Sequence, residues 1–112
     1  MSVDTGVRVV LCTCASAEEG EMISRQLVES KLAACCNIIP HVSSIYHWEG
    51  KVNRDEEALI IIKTAAEKVP AVIQRITQIH SYELPEIISL PVVGGCDGYL
   101  NWVNSMVGDK AI

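Results

Sequence analysis

The sequence predicts an α+β domain of the ferredoxin-like type, a split-βαβ antiparallel sheet with helices on one face, an extended β-hairpin and a C-terminal helix. Three observations carry this. Apolar segments switch between a two-residue and a helical period in the order strand, helix, strand, strand, helix, strand, helix. A Glu49-Gly50 pair separates two strand-like runs, as a tight hairpin turn requires. A chain of 112 residues holds one compact domain and not two, so residues 1–112 are read as a single unit.

Val7 to Cys14 is a short apolar run rich in β-branched Val and reads as the first strand. Ser16 followed by Glu19 is a capping box that opens a helix. Ile23, Leu27, Val28 and Leu32 form its apolar stripe; Glu18, Glu21, Arg25, Glu29 and Lys31 occupy the other side. From Ala34 the pattern is extended. Val42, Ser44, Tyr46 and Trp48 alternate with Ser43, Ile45 and His47, and Pro40 implies a bulge or a sheet edge. The return strand runs from Lys51 to about Thr64. It is polar over Asn53 to Glu57 and apolar over Leu59 to Ile62, the gradient of a hairpin whose tip leaves the core.

A helix opening at Thr64 would place Pro70 in its interior, where proline costs ~3 kcal/mol, so the second helix is expected to start near Glu67 with Pro70 in its first turn. Val69, Val72, Ile73, Ile76 and Ile79 are its apolar face, ending at His80. Glu86 to Val92 reads as the fourth strand, closed by Gly94-Gly95. A last helix carries Tyr99, Trp102, Val103 and Met106 in register and stops at Gly108. Right-handed crossovers put both main helices on one sheet face. Yet Val9 and Leu11 are as apolar as Val10 and Cys12, and Leu59 and Ile61 as apolar as Ile60 and Ile62. An antiparallel sheet with one wet face should alternate polar and apolar, so the uncovered face is expected to meet another subunit.

Composition narrows the function classes. Hydrophobic residues make up 49% and charged residues 21%, enough to bury a core and exclude wholesale disorder. Lys plus Arg number 9 against 14 Asp plus Glu, a formal net charge of -5, the wrong sign for tracking a phosphate backbone, so no nucleic-acid partner is expected. No apolar stretch approaches the roughly 18 residues of a membrane helix, and Asp4 and Arg8 interrupt the N-terminus where a signal peptide would be apolar. No membrane insertion is expected. Cys12, Cys14, Cys35, Cys36 and Cys96 are odd in number and lack paired CxxC spacing, which reads as reduced thiols in a cytoplasmic setting.

No nucleophile elbow, Walker loop, Rossmann fingerprint or metalloprotease helix motif is present. Cys12 and Cys14 share one face of the first strand and His80 ends the second helix, so a soft copper or zinc site is one reading. The plainer one packs Cys12 in a core and uses His80 as a helix cap. His41 and His47 are read as solvated. Asp55, Glu56, Glu57, Glu83 and Glu86 could meet hard cations or simply line a wet edge, and Glu83 and Glu86 bracket Pro85 in a rigid turn beside Tyr82. Lys63, at the end of an apolar strand, needs a carboxylate partner or an anionic ligand.

The stretches Leu32 to Pro40, Ser44 to Lys51, Ile62 to Thr64, His80 to Ile87 and Tyr99 to Trp102, in one order across nearly the whole chain, resemble the CutA family of divalent-cation tolerance proteins. The resemblance implies a ferredoxin-like fold, a homotrimer built like the PII signalling proteins, and a role tied to copper and other divalent metals. It implies copper near a first-strand cysteine and two adjacent histidines, positions that fall on Cys12, Ile79 and His80; one histidine is missing, and Ser81 stands where the family has proline. The expectation is therefore a trimeric, non-enzymatic metal-tolerance protein of the cytoplasm with no obligatory cofactor. Its inter-subunit grooves are lined by Tyr46, Trp48, Lys63, Tyr82, Glu83 and Glu86. The alternative is a PII-like regulator holding a small anion or nucleotide at Lys63. An enzyme using Glu83 or Glu86 as general base ranks third, because no nucleophile or oxyanion donor stands beside them.

Overall fold

The computed structural model describes residues 4–108; the two ends of the expected domain, residues 1–3 and 109–112, lie outside the described residues. In chain order the elements are β1 (Val7–Cys14), α1 (Ala17–Glu29), β2 (Cys35–Trp48), β3 (Lys51–Ala65), a 3-10 turn (Ala66–Lys68), α2 (Val69–Ile79), β4 (Ile87–Pro91) and α3 (Asp97–Val107). All strand pairs are antiparallel and the sheet order is β2-β3-β1-β4, the split-βαβ arrangement expected.

Local signals set most boundaries. The Ser16 hydroxyl accepts from Glu19 N at 3.1 Å, while Glu19 Oε1 reaches back past the cap to accept from Ala15 N at 3.0 Å. Helix α1 is shorter than its apolar stripe suggested, because Lys31 enters the left-handed region at φ 61 and turns Leu32 off the helix. Val28 is 40% exposed, and the buried positions are Gly20, Ile23, Ser24 and Leu27. Glycine at position 20 lets the helix sit against β1: a Cβ there would stand 3.3 Å from Cys14 Sγ. Pro70 lies in the first turn of α2, as expected. Glu49 and Gly50, at φ 52 and 77, close the hairpin through two successive positive-φ residues. Pro40 falls at the register shift between Ile39 and Val42, on an edge strand of the sheet.

Helices α1 and α2 cover the face carrying Val10, Cys12, Cys14, Ala58, Ile60 and Ile62, and Ile23, Leu27, Val72 and Ile76 close that core. The expectation that the opposite face carries no helix is corrected. Val103 and Val107 of α3 pack with Val7 and Ala65, a directly paired couple on that second face. Those two valines orient α3, so Tyr99, Trp102 and Met106 stay 41 to 43% exposed instead of facing the sheet. Helix α3 covers only one end: Val9, Leu11, Leu59 and Ile61 are half-buried and Ile39, Ile88 and Leu90 exposed. At the other end the hairpin projects, giving a long axis of 49 Å and a radius of gyration of 14.9 Å, against about 13 Å for a compact domain of this length.

Candidate functional site

The projecting hairpin and the loop between α2 and β4 enclose a cleft of about 730 Å³. One wall follows from strand alternation and register. Ser44, Tyr46 and Trp48 leave β2 on one side, and pairing outward from the turn sets Asn53 across from Tyr46 and Asp55 across from Ser44. Asp55 is thus a diagonal neighbour of Tyr46, whose hydroxyl donates to it. The other wall is the loop, with Tyr82, Glu83, Leu84 and Glu86; Thr13 also lines the cleft. The two walls are tied together where the Tyr82 hydroxyl donates to Glu57 Oε2 at 2.8 Å.

Hydrogen bonds to His80 and Ser81 hold that loop. The backbone N–H of His80 donates to Ile76 O at 2.8 Å and closes α2. Its Nδ1 accepts from Tyr82 N at 3.0 Å, and its Nε2 lies 2.8 Å from Thr13 O. A backbone N–H only donates and a carbonyl only accepts, so the ring is the neutral tautomer with its proton on Nε2. The imidazole packs on Tyr82 with centroids 4.8 Å apart. Ser81 donates twice to Glu19, from its N–H to Oε2 at 2.8 Å and from its hydroxyl to Oε1 at 3.0 Å. Burial pushes the Glu19 carboxyl up, but the donors of Ala15 and Ser81 outweigh it and hold it below its ordinary value. Burial, then the hydrogen bond to Glu57, pushes the Tyr82 phenol up; the hydrogen bond to Asp55 does the same for Tyr46.

Tyr46, Trp48, Tyr82, Glu83 and Glu86, expected in a groove between subunits, line one cleft within the chain. Lys63 does not. It projects from the same sheet face, but further along β3, on the order of 20 Å from Glu57 at ~3.3 Å per residue, and its ammonium donates to Asn37. Within one chain Lys63 and the Tyr82–Glu86 turn lie apart, separated along the long β3 strand; the meeting expected of them is between subunits. Asp55 and Glu57 belong to the cleft; Glu56 alternates to the other face. The contributions of Thr13, Ser44 and Glu19 escaped the sequence reading. Counting pairs outward from Glu49-Gly50 would have found Ser44 beside Asp55, whereas nothing local marks Glu19, which reaches Ser81 across 62 positions.

Cys12 and His80 do not fit a bound copper ion as they stand. The Cys12 side chain is fully buried, and burial, with the nearby Cys14 and Glu19, pushes its thiol up to about 12, so it is protonated at neutral pH. Both ring nitrogens of His80 are engaged by Thr13 and Tyr82. Ile79 packs at the edge of the core and Ser81 is spent on Glu19. Among the described residues no three His, Cys, Asp or Glu side chains converge as a metal site would need. No helix there is long and apolar enough to cross a membrane.

Residues 8–106 match the family described as CutA1 divalent ion tolerance protein. The chain is 42% identical over 100 residues to the divalent-cation tolerance protein CutA of Thermus thermophilus, covering 89% of this chain and 97% of that one. It is also 42% identical over 97 residues to the chloroplastic CutA protein of Arabidopsis thaliana, covering 87% of this chain and 53% of that one. The chain spans 53 to 63% of the length of several curated relatives. The crystal structure of CutA1 from Oryza sativa superposes with a TM-score of 0.90 at 38% identity, covering 97% of this chain and 98% of that chain.

Proposed function

The chain belongs to the CutA1 divalent ion tolerance protein family, and on that premise we propose that it acts in divalent-cation tolerance by engaging cations as a non-enzymatic, cytoplasmic homotrimer. The observation that carries this reading is the charge of the cleft: Asp55, Glu57, Glu83 and Glu86 line it, and no Lys, Arg or His among the described residues does. Carboxylates gathered in a concave site raise the local concentration of cations and repel anions. The trimer is supported by the half-covered sheet face around Val9, Leu11, Leu59 and Ile61, which a second copy would bury.

Copper is the metal least supported at Cys12 and His80, whose atoms are already satisfied within the chain. Cation contact is assigned to the cleft instead. The regulator reading, with an anion or nucleotide at Lys63, has only that exposed ammonium to draw on, and Asn37 already accepts from it.

Calorimetric titration of the metal-free protein with Cu2+, Zn2+ and Mg2+, with ATP in parallel, tests the choice. The reading expects metal-ion binding that weakens with added salt and in a Glu83→Gln/Glu86→Gln variant. Absence of metal binding, or ATP binding that depends on Lys63, would overturn it. Sedimentation showing a stable folded monomer at micromolar concentration would overturn the trimer.

A further inference from the structure

His80 is enclosed by partners from its own chain. Its side chain has no exposed surface, so a second copy seated on the sheet adds nothing that could touch the ring. The hydrogen bonds fix one protonation state: Nε2–H donates to Thr13 O at 2.8 Å, and the bare Nδ1 accepts from Tyr82 N at 3.0 Å. One further group stands beside Nδ1. Glu19 Oε2 lies 3.8 Å from it, beyond hydrogen-bond reach, and the Glu19 side chain is itself only 11% exposed. Burial pushes that carboxyl up, but the donors of Ala15 and Ser81 outweigh it, so Glu19 stays ionised across the span in which an imidazole ordinarily changes charge, roughly pH 5 to 8. The other ionisable groups facing the cluster are Cys12 and Cys14 of β1, both neutral thiols, Asp55 and Glu57 of β3 beyond the Tyr82 hydroxyl, and Glu86 just before β4. Every charge among these is negative.

A proton added to Nδ1 has two consequences. It turns an acceptor into a donor, so an N–H then faces the N–H of Tyr82 and that tether is lost. It also offers Glu19 a charged donor, and closing the 3.8 Å gap by about 1 Å makes a charge-assisted hydrogen bond. The bond from Nε2–H to Thr13 O is kept in both states. We infer that His80 is a proton-operated latch: neutral, it holds the backbone of Tyr82 and with it the start of the Tyr82–Glu86 loop; protonated, it turns to Glu19 and releases that backbone. The proton comes from solvent and returns to it. Both ring nitrogens are taken within the chain, and neither by a carboxylate assigned to cation contact, so the latch is independent of the cation reading.

The chain has 3 histidines, and His41 and His47 are exposed on the hairpin, so a His41→Gln/His47→Gln background leaves the signal of His80 alone. Nitrogen-15 spectra of the imidazole and hydrogen exchange of the Tyr82 amide are followed in the assembled protein from about pH 8 to about pH 5, with circular dichroism reporting the fold. The expected ring is the Nε2–H tautomer at the upper end and doubly protonated at the lower. Protection of the Tyr82 amide, corrected for the intrinsic pH dependence of exchange, is expected to fall about two- to twelvefold with that transition, the net worth of one hydrogen bond. Glu19→Gln is expected to move the transition to lower pH by removing the charge that receives the ring. Ser81→Ala keeps that charge and takes away one of its donors, and is expected to move the transition to higher pH. A ring that stays neutral while the protein stays folded would overturn the latch, as would a protonated ring with unchanged Tyr82 protection. So would protonation that coincides with global unfolding, or a transition that neither variant moves.

Discussion

Tyr82 and Glu57, 25 positions apart, meet through a 2.8 Å hydrogen bond that joins the loop after α2 to the middle of β3. It sets the width of the cleft, because the loop has no strand pairing of its own before Ile87. The phenol's upward shift keeps the donor protonated throughout the physiological range.

Tyr82→Phe should lower stability by about 1 kcal/mol, the net worth of one hydrogen bond at a half-buried site. Urea denaturation would show this as a lower midpoint with an unchanged slope. An unmoved midpoint would mean that His80 and Ser81 hold the loop without the Tyr82 hydroxyl.

Removing the Glu19 carboxylate should cost more, about 1–3 kcal/mol for Glu19→Ala, because three donors lose their acceptor. Its carboxyl is held below the ordinary value in the folded chain, so the unfolded chain binds the proton more readily. The stabilisation is therefore fully present above the unfolded value, near pH 4.3, and declines as the pH falls through the lower folded value. Stability curves of wild type and variant should converge in acid and separate toward neutral pH.

Thiol chemistry separates the buried cysteines from the exposed one. Cys12 is pushed up to about 12 and Cys14 to about 11, chiefly by burial, whereas Cys96 is exposed. Iodoacetamide at pH 8 should alkylate Cys96 in the native protein and reach Cys12 only after denaturation. Cu2+ affinity should be the same in Cys12→Ser as in wild type; a clear loss would restore Cys12 as a ligand.

Adjacent isoleucines on β3 should report two different interfaces. Ile60 is fully buried under α1 and α2, so Ile60→Ala should cost about 2–5 kcal/mol at any protein concentration. Ile61 points to the half-covered face, and Ile61→Asp should chiefly weaken self-association. Sedimentation and thermal melts across a dilution series distinguish the two effects, and a trimer unaffected by Ile61→Asp would place the interface elsewhere.

Much of the fold was legible because its signals are short-range. Ser16 with Glu19, Glu49 with Gly50, Pro40 and Pro70 each constrain backbone within a few residues, and each did what its chemistry demands. Strand alternation likewise marked two apolar sheet faces, and hairpin pairing brought Tyr46 and Trp48 to the same cleft wall as Asp55. Tertiary structure decided the rest. Helical periodicity put Tyr99, Trp102, Val103 and Met106 on one face of α3, and only packing on Val7 and Ala65 turned Val103 and Val107 inward and chose the second sheet face. Position along β3 sets Lys63 away from the Tyr82–Glu86 loop of its own chain. The protonation of Cys12 and the double engagement of His80 depend on burial and on contacts such as His80 with Thr13, 67 positions away. Such properties follow from which groups share a low-dielectric interior, and a residue's type and sequence neighbours do not contain that information.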